Sequence, residues 1–301
     1  MMLWSGTLAS TPLSQRIDAV AAAGFSAMSV APMDFGAAGT TLDRADSVRS
    51  RADAVGISLA CIDPVTSWLP RQAYRSATRP TNELQRRYAD LFGVYSVDEC
   101  LRLAEKIGAK VISAIEPCGY PCKDQVVADS FAALCARAEE FGVTVQLEPM
   151  SFSALRDVGT AQRIINESHA PNSGIVFDTW HFHRSGADYL RLGILRPESI
   201  TSIQLCDGPT VPVQDLWDEA GNCRLAPGTE SFELARMMDS LTGAVSKHVL
   251  IGPEVISSEL HRRRPDHVAR TMFDACSSLC RQCRWCSDIP GSRQHGRLRR
   301  P

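Results

Sequence analysis

The stretch AEEFGVTVQLEPM, residues 138–150, contains the unit that decides the fold. A helical end closes on Gly142, the β-rich apolar run VTVQL follows at once, and the run stops at an acid, Glu148. Glycine suits the residue just past a helix because it adopts the left-handed conformation without steric cost. The same helix–glycine–strand design recurs in PLSQRIDAVAAAGF (12–25), RADAVGISL (51–59) and AEKIGAKV (104–111). Outward from these units lie eight short apolar runs: MLWSGT, FSAMSVAP, ISLACID, KVISAIEP, VTVQLEPM, GIVFDTWH, ITSIQLCDG and HVLIGPEVIS. Their near-continuous hydrophobicity suits parallel strands buried on both faces. Eight such strands alternating with amphipathic segments predict an α/β fold, a single-domain (β/α)8 TIM barrel. A doubly wound open sheet is the competitor, but no glycine-rich phosphate fingerprint follows the first strand. The barrel is expected over residues 1–281, with the arginine-rich segment 282–301 as a basic, poorly ordered tail. Long loops are expected at 64–96 and 207–230, both at the C-terminal mouth where barrels build their sites.

Composition narrows the function. A hydrophobic fraction of 44% supports a large core, and a formal net charge of -2 gives no general attraction to nucleic acid or an anionic membrane. No apolar run approaches the roughly 20 residues of a membrane span, and the first residues lack a basic-then-apolar leader. The expectation is therefore a cytoplasmic protein with a small-molecule partner, no nucleic acid and no membrane. A homo-oligomer stays open. The odd count of 11 cysteines argues against a disulfide framework.

The strand ends hold the chemistry. Glu148 ends the fifth run, Asp178 the sixth (with His181 three residues on), Gln204 and Asp207 close the seventh, and Glu254 the eighth. A carboxylate at the end of an apolar run is costly to bury unpaired. Any one of them can cap a helix or meet an arginine. Three on neighbouring strands converge on one small volume, and a divalent metal relieves their repulsion. Oxygen-rich donors favour Mn2+ or Mg2+, whereas an added imidazole favours Co2+ or Zn2+.

These motifs resemble the sugar phosphate isomerase/epimerase family, the xylose-isomerase-like TIM barrels of the AP endonuclease family 2 superfamily. The carriers are LEPM (147–150), FDTWH (177–181), IQLCDG (203–208), RLAPGTESFEL (224–234) and GPEV (252–255). The resemblance implies metal ligands at Glu148, Asp178, Gln204 and Glu254. Gln204 stands where relatives usually place histidine, which shifts preference toward oxygen-loving ions. It also implies His181 and Arg224 as substrate contacts, and Glu148 and Glu254 as the catalytic carboxylates that remove and return a proton on opposite faces of an enediolate. A metal-dependent lyase of the 3-dehydroshikimate dehydratase type is the runner-up. An endonuclease-IV-type enzyme needs more strand-end histidines, and a non-catalytic ligand-binding barrel is the remaining alternative.

Weaker signals complete the reading. Trp68 and Glu116 sit where they could contact substrate, although mouth packing or an N-cap role accounts for them equally well. Cys276, Cys280, Cys283 and Cys286 have metal-cluster spacing, but three of them share one helix face and read better as core thiols.

Overall fold

The computed structural model describes residues 1–70, 93–117, 119, 123–213, 215–229 and 232–283. Eight strands form one parallel sheet in sequence order: β1 Met2–Leu3, β2 Ala27–Val30, β3 Ser58–Val65, β4 Val111–Ala114, β5 Thr144–Leu147, β6 Ser173–Asp178, β7 Ile200–Leu205 and β8 Val245–Pro253. The Trp4 N–H donates to the Pro253 carbonyl at 3.1 Å, joining the last strand to the first. This seam explains Gly252. A Cβ there would stand 1.7 Å from the Met2 carbonyl oxygen, so any other residue forces the two strands apart.

Around the sheet run α1 Leu13–Ala23, α2 Ala45–Ala54, α3 Val97–Ile107, α4 Asp124–Glu139, α5 Val158–Ser168, α6 Thr179–Arg184, α7 Tyr189–Leu192, α8 Leu216–Asn222, α9 Leu234–Ser240 and α10 Pro265–Gln282. The helix–glycine–strand design holds: Gly108 closes α3 at φ 80°, its N–H bonded back into the last turn. Two expectations need correction. The segment 207–230 is not all loop, because Asp215 caps α8 within it. The histidine of FDTWH lies on α6 rather than on a strand. The expected tail lies outside the described residues except for Gln282 and Cys283, and so does most of the expected 64–96 loop.

Strand alternation sorts the side chains. Val145, Leu147, Phe177, Ile203 and Leu205 face the helices within the large apolar core. The inward residues stack in layers, as in barrels generally. Met2, Trp4, Ala27 and Cys61 form an apolar cluster. Buried polar groups come next, Ser29, Ser113, Gln146 and Ser202, and then the acids. No helix among the described residues is long and apolar enough to cross a membrane.

Candidate active site

Asp63, Glu148 and Glu254, at the ends of β3, β5 and β8, line one cavity of about 240 Å³ together with Arg224, Arg16 and Asp34. Asp178, at the end of β6, is buried beside them. Four of these groups were legible as strand-end acids or as the arginine of RLAPGTESFEL. Asp63 was passed over, although ISLACID ends in an acid as the other runs do.

The acids differ in how they are paired. Asp178 caps α6, accepting the His181 peptide N–H at 2.9 Å, and also takes Arg224 Nη1 at 2.7 Å. The same guanidinium nitrogen lies 3.2 Å from Glu254 Oε2. An arginine thus supplies part of the positive charge that the sequence reading assigned to a metal alone. Glu148 has no such partner: Gln204 Nε2 is 3.5 Å away and His181 Nε2 is 3.9 Å away.

Burial, reinforced by the carboxylates of Glu254, Asp63 and Asp178, pushes the Glu148 carboxyl well above its ordinary range. Burial does the same to Glu254, against the pull of Arg224. Burial raises Asp63 to about 7, while hydrogen bonds from Ser113 and Ser29 and the charge of Arg224 act in opposition. Burial would also raise Asp178, but Arg224 and His181 hold it below the usual value.

His181 is buried, and burial lowers its pKa to about 3, so the ring is neutral. Its Nδ1 faces the Ser151 peptide N–H at 3.2 Å and its Nε2 faces Arg224 Nη2 at 3.4 Å, so each ring nitrogen meets a donor. The ring is thus held between a peptide N–H and a guanidinium, and with Glu148 and Asp178 it stands close enough to share an ion.

The donors present fit a divalent cation. The buried Gln204 Oε1 has no hydrogen-bond partner, an expensive state for an amide oxygen. It belongs to the same inward layer as Glu148, Asp178 and Glu254. With Asp63 included, four carboxylates here face Arg224, so their joint ionisation would leave an excess of negative charge for a cation to offset.

Three expected substrate contacts, His181, Trp68 and Glu116, do not line the cavity. The Trp68 indole N–H donates to the Ile115 carbonyl at 2.8 Å and its ring meets Phe131 edge-on, so it is held in packing and does not line the cavity. Glu116 Oε2 accepts from Gly119 N, Ser153 Oγ and Ala154 N at 2.9–3.0 Å. It ties two mouth loops together, also away from the cavity lining. Cys276, Cys280 and Cys283 are buried in or at the end of α10. Among the described residues they join no potential metal group, and Cys286 lies outside them.

Residues 17–270 match the family model for the xylose isomerase-like TIM barrel. No curated protein matches the sequence. Among solved structures, a xylose isomerase-like TIM barrel/4-hydroxyphenylpyruvate dioxygenase fusion protein superposes with TM-score 0.76 at 16% identity, over 94% of this chain. The chain spans 43% of that fusion protein's length. An IolI protein with a zinc atom gives 0.73 at 16% identity, covering 92% of this chain and 96% of that one. A D-psicose 3-epimerase with D-tagatose from Clostridium cellulolyticum H10 gives 0.62 at 13% identity, with 92% and 97% covered.

Proposed function

The chain belongs to the xylose isomerase-like TIM barrel family, and within it we propose a divalent-metal-dependent isomerase or epimerase of a sugar, cyclitol or related hydroxycarbonyl compound. The observation that carries this reading is the pair Glu148 and Glu254 lining one small cavity from β5 and β8, next to the unpartnered Gln204 Oε1. The cavity is smaller than the roughly 300–1,000 Å³ typical of drug-sized pockets, which suits a monosaccharide-sized ligand.

Glu148, Asp178, Glu254 and the Gln204 amide oxygen would hold the ion, with Mn2+ or Mg2+ favoured by an all-oxygen set. A bound divalent ion supplies Lewis-acid polarisation of a carbonyl and its neighbouring hydroxyl. The chain's own groups do the rest. His181 and Arg224, side by side at 3.4 Å, would contact and orient the substrate's oxygens. One of Glu148 and Glu254 takes the proton from the carbon beside the carbonyl, and the other returns one from the opposite side. In the metal-free protein, burial, reinforced by the neighbouring carboxylates, raises both carboxyls, so each can hold a proton more readily than a solvated glutamate. The zinc-bearing IolI structure and the epimerase structure are consistent with this reading at the level of fold.

Calorimetric titration of the metal-free protein with Mn2+ tests the ion site. One equivalent is expected to bind, and Asp178→Ala is expected to abolish binding. Equal binding by the variant overturns the ligand assignment.

A further inference from the structure

Asp63 is the carboxylate that the proposed chemistry does not use. It lines the cavity from β3, on the far side of the barrel from β7 and β8. Two serine hydroxyls, Ser29 from β2 and Ser113 from β4, stand close enough to its carboxyl to hold its pKa down against burial. Ser29 Oγ accepts the Ser5 peptide N–H at 2.8 Å, and Ser113 Oγ accepts Gln146 Nε2 at 2.7 Å. Each oxygen is thus an acceptor toward an N–H, which leaves its single proton free for another acceptor. The Cys61 thiol, 3.5 Å from Ser113 Oγ, is the weaker acceptor. The network runs on, since Gln146 Oε1 accepts the Ser202 hydroxyl from β7 at 2.5 Å. A chain of hydrogen bonds across the barrel thus lies beneath a buried carboxylate that lines the cavity and can accept from a ligand there.

The charge around the cavity points the same way. Among the described lining residues the cations are Arg16 and Arg224. Arg16 is gripped by Asp34 through two hydrogen bonds at 2.6 and 3.1 Å. Arg224 is shared between Asp178 and Glu254. That one guanidinium offsets one of those two charges, so with Asp63 and Glu148 three negative charges are left over when all are ionised, one more than a divalent ion would balance. No positive charge remains among these residues for a phosphate or carboxylate.

We propose that Asp63 is a specificity-determining residue that accepts a hydroxyl of the substrate away from the reacting carbons, and that the substrate is an uncharged polyhydroxy carbonyl compound rather than a phosphorylated or carboxylated one. This rests on the isomerase or epimerase reading and narrows it against the dehydratase alternative, whose substrate carries a carboxylate.

The test is binding to the Mn2+-loaded protein, read by thermal shift and calorimetry without turnover. The probes are D-tagatose, D-fructose and myo-inositol, against D-fructose 6-phosphate and shikimate. At least one neutral probe is expected to bind more tightly than both anions. Asp63→Asn should weaken that neutral probe about ten- to hundredfold, the range for a hydrogen bond to a charged group. Ser113→Ala, which leaves the carboxylate but frees one of its guides, should weaken it several-fold, and it serves alone if Asp63→Asn does not fold. Tighter binding of either anion overturns the proposal, as does no binding of any neutral probe. Unchanged affinity in the folded variants does the same. A protein that selects neutral probes through Asp63 yet turns nothing over would retain this proposal while losing the enzymatic one.

Discussion

The two halves of the barrel treat their acids differently. In the half from β5 to β8, Asp178 and Glu254 share a guanidinium, Glu148 and the Gln204 amide oxygen lack a strong partner, and the unmatched charge collects in one place. In the half from β1 to β4, Asp34 is matched to its own arginine and Asp63 is held by neutral serine hydroxyls. The first arrangement suits an ion and a reaction. The second suits a fixed wall that a substrate is read against. Buried charge is tolerated in both, but only the first leaves a deficit for a cation to fill.

The largest expected effect tests this contrast between the two buried arginines. Arg224→Met strands two buried carboxylates and should destabilise the metal-free protein by about 3–5 kcal/mol in urea unfolding. Mn2+ should recover part of that loss. Arg16→Met should cost less and gain nothing extra from Mn2+, because Asp34 is partly exposed and keeps the Ala31 N–H as donor. Equal losses with equal rescue would erase the distinction between the halves.

A second effect comes from the raised carboxyl of Asp63. The unfolded chain releases this proton near its ordinary 3.8, whereas the folded chain holds it to about 7. Between those values the unfolded state binds fewer protons, so stability falls as pH rises. Asp63→Asn removes that dependence. Relative to wild type, the metal-free variant should gain on the order of a few kcal/mol between pH 4 and pH 8, with most of the change complete just above pH 7. His181 opposes the trend, since its neutral folded form adds stability as pH rises from about 3 toward 6.5. The comparison is therefore made as a difference between variant and wild type. A flat difference would place Asp63 in a far more solvated setting.

The smallest expected effect concerns the ion's identity. Gln204→His replaces an amide oxygen by an imidazole and should tighten Zn2+ by roughly tenfold, with Mg2+ unchanged or weakened. Competition titration with a chromophoric chelator reads this directly.

The fold was legible because its signal is periodic and local: each glycine stop and apolar run could be read without knowing its neighbours. The half from β5 to β8 was legible for a similar reason, since Glu148, Asp178 and Glu254 each interrupt an apolar run with a charge. Pairing was not legible. Nothing in RLAPGTESFEL says that Arg224 folds back between Asp178 and Glu254, because its ion pairs span 46 and 30 residues. Asp63 carried the same strand-end mark as the other acids, but its role depends on Ser29 and Ser113, ordinary residues whose meaning appears only when β2, β3 and β4 lie side by side. Trp68 and Glu116 follow β3 and β4 in the chain. Whether a mouth residue turns inward or braces a loop is decided by partners such as Ile115 and Ser153, which sequence position does not reveal.

The central claim is that Glu148 and Glu254 exchange a proton at carbon beside a carbonyl in the presence of a divalent ion. The direct measurement is proton NMR of the neutral ketoses in D2O with Mn2+-loaded protein, after removal of the paramagnetic ion. Deuterium should enter at the carbon next to the carbonyl with wild type, and Glu148→Gln or Glu254→Gln should slow its entry by at least about a thousandfold while both variants stay folded. Deuterium entry that survives in both variants at the wild-type rate, or fails in the loaded wild type, would contradict the account.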